Sequence, residues 1–175
     1  MKSSANQTSI DTLNAYRAAR LFEKASQIIE REIGMKHETP LFTPVIINSA
    51  FSLEIYLKCL IMIETGSRPV RGLTLIELFN GLSKESKTAI EQYFDESIAR
   101  DPGVQVMVNS KENEIKFDLS SILHEISNAF FDWRSAYEPF PGKIFYGVGP
   151  LFYAVNRRIR QLKPEWTDEV VIPAI

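Results

Sequence analysis

The side chains best equipped for chemistry in this chain are arginines, carboxylates and two histidines, and their spacing decides what they can do together. Arg157, Arg158 and Arg160 with Lys163 form the densest positive group, four cations over two helical turns. Such a group either stabilises the negative end of a helix dipole or holds phosphates with an affinity that falls steeply with salt. Arg134 stands between Trp133 and Tyr137, just before the break made by Pro139, Pro141 and Gly142. Its stem can cover apolar surface while its head bonds Glu138. Alternatively, it faces a ligand or an interface, where a guanidinium grips phosphate bidentately but, being always protonated, cannot move protons. Glu54 and Lys58 lie one turn apart with the glutamate first, the better orientation for a helix ion pair. His37 and His124 are too far apart to form a local metal motif, and the single Cys59 excludes an intramolecular disulfide or a multi-cysteine zinc site. No Ser–His–Asp or metal-ligand spacing is visible. Gly142, Gly147 and Gly149 match neither a phosphate loop nor a dinucleotide fingerprint. Neither a cofactor nor a metal is expected.

The elements that carry these residues read as helices. Residues 9 to 33 predict the first, with Ser9 as cap and Gly34 as stop, and an uneven stripe of Leu13, Tyr16, Ala19/Arg20, Phe22/Glu23, Ser26 and Ile29/Ile33. The second is the clearest. Thr43 is its expected cap, Pro44 its first helical residue and Gly66 its end. Apolar side chains from Val45 to Ile63 cover most of its circumference, which suits the centre of a bundle. A membrane span is the rival, and Glu54 and Lys58 argue against it because charges in lipid are costly. Cys59 falls in this helix and reads as an inert core residue. A short helix over Leu75–Leu82 follows, then one over Lys84–Arg100 capped by Ser83 and stopped before Pro102. Residues 101–117 read equally as a loop or as a small hairpin, given the alternation at Val104, Val106 and Val108. Asp118 caps a helix whose stripe runs from Leu119 through Ile122, Leu123, Ile126, Phe130 and Trp133 to Tyr137. A last helix runs from Gly149 or Pro150 to Lys163, and residues 164–175 form a tail. The aromatic group Phe140, Phe145, Tyr146, Phe152 and Tyr153 reads as packing for one end of the bundle. The fold class is all-α, an antiparallel bundle of four to five main helices in one domain over 1–163.

Composition agrees. The 175 residues are 45% apolar and 24% charged, ordinary for a globular domain and incompatible with wholesale disorder. A net charge of −2 supplies no global field for nucleic acid and leaves only local basic patches to attract it. The polar stretch Met1–Ile10 is unlike a secretory signal, so a cytoplasmic location is expected.

Taken in order, several segments carry a resemblance. Asn48-Ser49-Ala50-Phe51-Ser52-Leu53-Glu54-Ile55-Tyr56-Leu57-Lys58 is similar to the alanine/leucine–glutamate–leucine–lysine helix of HEPN (higher eukaryotes and prokaryotes nucleotide-binding) domains. Gly72-Leu73-Thr74-Leu75 stands where those domains carry a glycine–histidine–aspartate–leucine helix start. Phe130-Phe131-Asp132-Trp133-Arg134-Ser135-Ala136-Tyr137-Glu138 resembles their arginine-bearing late helix. The resemblance spans roughly residues 45–138. It implies a bundle that often dimerises, with Arg134 facing a cleft between protomers and Glu54 orienting it. It also implies defence, stress or toxin–antitoxin settings, in which some members cut RNA and others bind RNA or a partner protein.

The chain departs from the cutting members where their chemistry lies. They place a histidine four to six residues beyond the arginine. Pro139, Phe140 and Pro141 occupy the equivalent stretch, and Leu73 replaces the other histidine. Metal-independent RNA cleavage needs proton transfer near neutral pH, which histidine supplies and arginine does not. His124 lies ten residues before Arg134 and cannot substitute within one chain. The expected function is therefore a non-catalytic, HEPN-like module that binds RNA or a partner protein; the alternative is a divergent endoribonuclease using Arg134 with unrecognised partners. Candidate binding residues are Asn48, Glu54, Lys58, Arg134 and Tyr137, together with Arg157, Arg158 and Arg160. Arg134 and Glu54 are the candidates for catalysis. Expected partners are a second copy of the chain, RNA or a nucleotide, or another protein, and no membrane.

Overall fold

The computed structural model describes residues 3–36, 42–102, 105, 117–132 and 148–166. Among them are six helices and no strand: α1 (Ser3–Lys36), α2 (Phe42–Thr65), α3 (Leu75–Asn80), α4 (Lys84–Arg100), α5 (Leu119–Asp132) and α6 (Val148–Leu162). This is the expected all-α bundle. The hairpin or loop weighed for 101–117 lies almost wholly outside the described residues, as do Trp133, Arg134 and Tyr137.

Helix α2 is central, touching α1, α3, α5 and α6. Its Leu53, Tyr56, Leu57 and Leu60 are fully buried. By length and composition it could also cross a membrane, a test that the core helix of a bundle passes too. It begins at Phe42, so Thr43 lies inside it rather than capping it. Pro44 consequently falls later in the first turn, where a missing N–H still costs no hydrogen bond. Gly66 ends the helix as expected, with φ +67° and its N–H on the Met62 carbonyl at 3.0 Å.

Helix α1 departs further from expectation. It runs through both Ser9 and Gly34 and ends at Lys36. Glycine in a helix costs about 1 kcal/mol relative to alanine, which weakens a helix without ending it. The glycines with left-handed backbone among the described residues are Gly66, which ends α2, and Gly72, in the turn before α3.

Helices α1 and α2 form a close antiparallel pair. Thr12, Ala19 and Ser26 follow one another at seven-residue steps along α1 and meet Cys59, Ser52 and Ser49 in reverse order. The Cys59 thiol donates to the Thr12 carbonyl at 3.4 Å, Ser52 Oγ to the Ala19 carbonyl at 2.8 Å, and Ser26 and Ser49 share a 2.7 Å hydroxyl bond. Small side chains let the backbones approach, and the polar atoms of Cys59, Ser52, Ser26 and Ser49 find their partners across the seam.

The remaining helices start where their caps require. Thr74 and Glu77 form a capping box at α3: the Glu77 N–H donates to Thr74 Oγ1 at 3.2 Å, and the Thr74 N–H donates to the Glu77 carboxylate at 2.7 Å. Donation from the Thr74 N–H, and from its hydroxyl at 2.9 Å, holds the Glu77 carboxyl below its usual range. Helix α3 stops at Asn80, two residues short of the expected Leu82. Ser83 caps α4, and its N–H and hydroxyl also donate to Glu64 at 2.9 and 2.7 Å, tying the end of α2 to the start of α4. Asp118 caps α5 through the Ser121 N–H at 2.8 Å. Beyond α6 the chain stays packed as far as Trp166, whose ring lies 5.2 Å from that of Tyr16.

Candidate functional site: a cleft between α1 and α6

A second face of α1 meets α6 without closing on it. Arg20, Glu23 and Gln27 line one side of an open cleft of about 710 Å³. Phe152, Tyr153, Asn156, Arg157, Arg160 and Gln161 line the other, with Gly149 and Pro164 completing it. The α1 residues lie three and four positions apart, hence on one helix face. On α6, Tyr153, Arg157 and Arg160 repeat at the same helical steps, so one aromatic ring and two guanidiniums share a side.

Glu23 organises the α1 wall. It is only 6% exposed, and a carboxylate so placed must be paired. Tyr56 donates to it at 2.6 Å, Arg20 at 2.9 Å and Gln27 at 3.1 Å. Burial pushes the Tyr56 phenol far above its ordinary range, and the neighbouring Glu23 charge pushes it the same way, so its proton stays in the bond to Glu23. Burial works against a charge on Arg20, but Tyr56 and Glu23 outweigh it and the guanidinium is held protonated.

On the α6 wall, Arg157 is braced from behind. It bonds Glu96 of α4 at 2.7 Å and Tyr153 Oη at 3.2 Å, and its guanidinium carbon lies 3.9 Å from the centre of the Tyr93 ring. The bond to Arg157 holds the Glu96 carboxyl below its usual value. A guanidinium clamped between a carboxylate and an aromatic face keeps one orientation.

The basic group seen in the sequence therefore divides. Arg157 and Arg160 line the cleft. Arg158, only 7% exposed, turns into the bundle and bonds Ser86 at 2.8 Å, Glu85 at 2.9 Å and Gln161 at 3.2 Å. Its role in the structure is to join α6 to α4. Lys163 is not part of the cleft lining, and its ammonium lies 6.0 Å from the centre of the Trp166 ring.

The other candidates lie apart from the cleft lining. Glu54 and Lys58 form the ion pair that their spacing requires, both partly exposed on α2. Asn48 is half-buried and donates to the Pro44 carbonyl of its own helix at 2.7 Å. His124 is exposed on α5. Arg134 and Tyr137 fall outside the described residues. Among those residues no group of three or more His, Cys, Asp or Glu side chains could hold a metal ion. Burial pushes the Cys59 thiol up to about 12, which makes it the inert core residue that the sequence suggests.

Sequence reasoning missed Arg20, Glu23, Gln27 and Tyr153. The first two sit in the stripe of the first helix, where they looked like breaks in an apolar pattern. A signal was present in both walls: Arg20, Glu23 and Gln27 share one helix face, and Tyr153 lies one turn before Arg157. Compared with known proteins, the chain matches no family model, no curated protein and no solved structure, so the chemistry of the cleft is read from its own residues.

Proposed function

We propose that this protein is a HEPN-like, non-catalytic module that binds single-stranded RNA, acting as a homodimer in the cytoplasm in a defence, stress or toxin–antitoxin setting. The observation that carries the RNA reading is the cleft wall of Tyr153, Arg157 and Arg160 facing Arg20. Guanidiniums supply phosphate contacts, and an aromatic ring 41% exposed supplies a sequence-tolerant stacking surface. The homodimer and the biological setting follow from the resemblance of residues 45–138 to HEPN domains. A binding role rather than cleavage follows from Pro139, Phe140 and Pro141 in place of histidine, and from a cleft lining that contains no histidine.

The test is the binding of labelled single-stranded RNA at several salt concentrations without metal. Three phosphate contacts predict a slope of about −2 in log affinity against log salt. Arg157→Glu with Arg160→Glu should abolish binding while the RNA stays uncut. Salt-independent binding, or none, would remove the reading; capture of a protein segment by the same cleft would replace RNA with a protein partner. Robust cutting that is lost in Arg134→Ala would promote an endoribonuclease. Sedimentation showing only the 20.0 kDa species at tens of micromolar would refute the dimer.

A further inference from the structure

The side of α1 turned away from both α2 and the cleft carries a pattern that neither of them uses. Arg17, Lys24 and Arg31 recur there at seven-residue steps, and Leu21 and Ile28 fall between them at the same step. With about 3.6 residues per turn, the five form one stripe along the helix. All five are exposed, Leu21 by 43% and Ile28 by 51%. No hydrogen bond or ion pair among the described residues engages any of the three cations. The acids of α1 do not neutralise the stripe from Arg17 to Ile28. Glu23 is buried against Tyr56 and Arg20, and Glu30 and Glu32 flank only the Arg31 end.

The chain itself brings a matching segment to this stripe. Trp166, only 8% exposed, places its ring 5.2 Å from that of Tyr16, the residue before Arg17. Residues 167–175 follow and lie outside the described residues. They hold two acids and no cation: Asp168 and Glu169 come first, then Val170, Val171 and Ile172. That order matches the stripe as it is met from Tyr16, with Arg17 before Leu21, Lys24 and Ile28. The reach is sufficient. Helix α1 rises about 18 Å from Tyr16 to Ile28, and residues 167–172 span up to about 20 Å when extended.

We infer that residues 167–172 dock along this stripe of α1, with Asp168 and Glu169 on Arg17 and Lys24, and Val170 and Ile172 over Leu21 and Ile28. Residues two apart share one side of an extended segment, so Asp168, Val170 and Ile172 can face α1 together. The contact gives two solvated cations their partners and takes two aliphatic side chains out of water. It rests on no part of the RNA reading.

The experiment treats the full chain with a carbodiimide, which joins an ammonium to a carboxylate in direct contact, and maps the links by mass spectrometry. A mixture of isotope-labelled and unlabelled protein separates links within one chain from links between copies. The expected product is a link within one chain from Lys24 to Asp168 or Glu169, weakened in high salt. Ile172→Asp adds attraction for the stripe but loses aliphatic burial, and should reduce that link about tenfold at unchanged helical circular dichroism. Absence of a link from Lys24 to either acid overturns the inference. A link found only between copies also overturns it and assigns the stripe to a second molecule. An undiminished link in Ile172→Asp overturns docking in favour of charge attraction alone. Binding of phosphatidylserine vesicles that is lost in Lys24→Glu would overturn it in favour of a membrane surface.

Discussion

Helix α1 presents two faces that the rest of the molecule treats in opposite ways. On one, Thr12, Ala19 and Ser26 are buried and meet α2 through small side chains and hydrogen bonds. On the other, Arg20, Glu23 and Gln27 hold α6 off across a cleft of about 710 Å³. The residues alternate almost side by side: Ala19 is fully buried and Arg20 next to it reaches the cleft. Side-chain length and charge explain the difference. Small residues close a helix pair by letting backbones approach, while long polar side chains that bond one another, as Arg20, Glu23 and Gln27 do, hold the neighbouring helix away and leave a groove. A face that closes contributes stability, and one that stays open can bind.

Glu23 is where the two faces meet, because it bonds Tyr56 in the core and Arg20 at the cleft. Glu23→Ala should therefore have the largest effect. Removing a buried charge partner leaves the Tyr56 hydroxyl and Arg20 without it, for a loss of about 3 kcal/mol. Chemical denaturation checks this, and Glu23→Gln, which can still accept from Tyr56, should cost less. An equal loss in both would mean that shape rather than hydrogen bonding matters at this position.

Next comes the closed face. Ala19→Leu should cost about 1–3 kcal/mol, because added methylenes have no room between α1 and α2. The thermal midpoint should fall accordingly, and an unchanged midpoint would show that the seam is looser than its hydrogen bonds indicate. Arg160→Gln on the open face should do the reverse. Stability should fall by less than for Ala19→Leu, since Arg160 is exposed, while RNA binding weakens.

The smallest effect is at Glu64, away from both faces. Burial works against its ionised form, but the hydrogen bonds from Ser83 and Ser86 prevail and hold its carboxyl below the ordinary value of 4.5. A carboxyl lowered in the folded state contributes stability that is present above pH 4.5 and is lost as pH falls through the lowered value. Glu64→Gln should therefore flatten the acid side of the stability profile below pH 4.5 and leave its neutral region nearly parallel to wild type. Acid-limb melts on the two proteins check the sign.

Much of the fold was legible because helix ends and apolar stripes are local signals. Gly66, Ser83 and Asp118 act where chain chemistry says they should. The stripe of Leu119, Ile122, Leu123 and Ile126 is buried as its spacing requires. The α1–α2 seam was not legible, since threonine, alanine and serine at seven-residue steps give no hydrophobic period. The site was legible on one side only. Arg157 and Arg160 stood out as part of a basic group, but nothing in the spacing separated them from Arg158.

Local chemistry thus decided the helices, their ends, the central place of α2 and the concentration of positive charge on α6. Those depend on backbone conformation and on periodicity, both encoded within a few residues of each position. Only the tertiary structure decided which arginine braces the fold and which lines the cleft. Arg158 became structural because Ser86 and Glu85 of α4 lie within its reach, and Arg20 joined Arg157 and Arg160 because α1 passes opposite α6. Such choices depend on partners more than seventy residues away in the chain, and a side chain's neighbours at that distance are set by packing rather than by spacing.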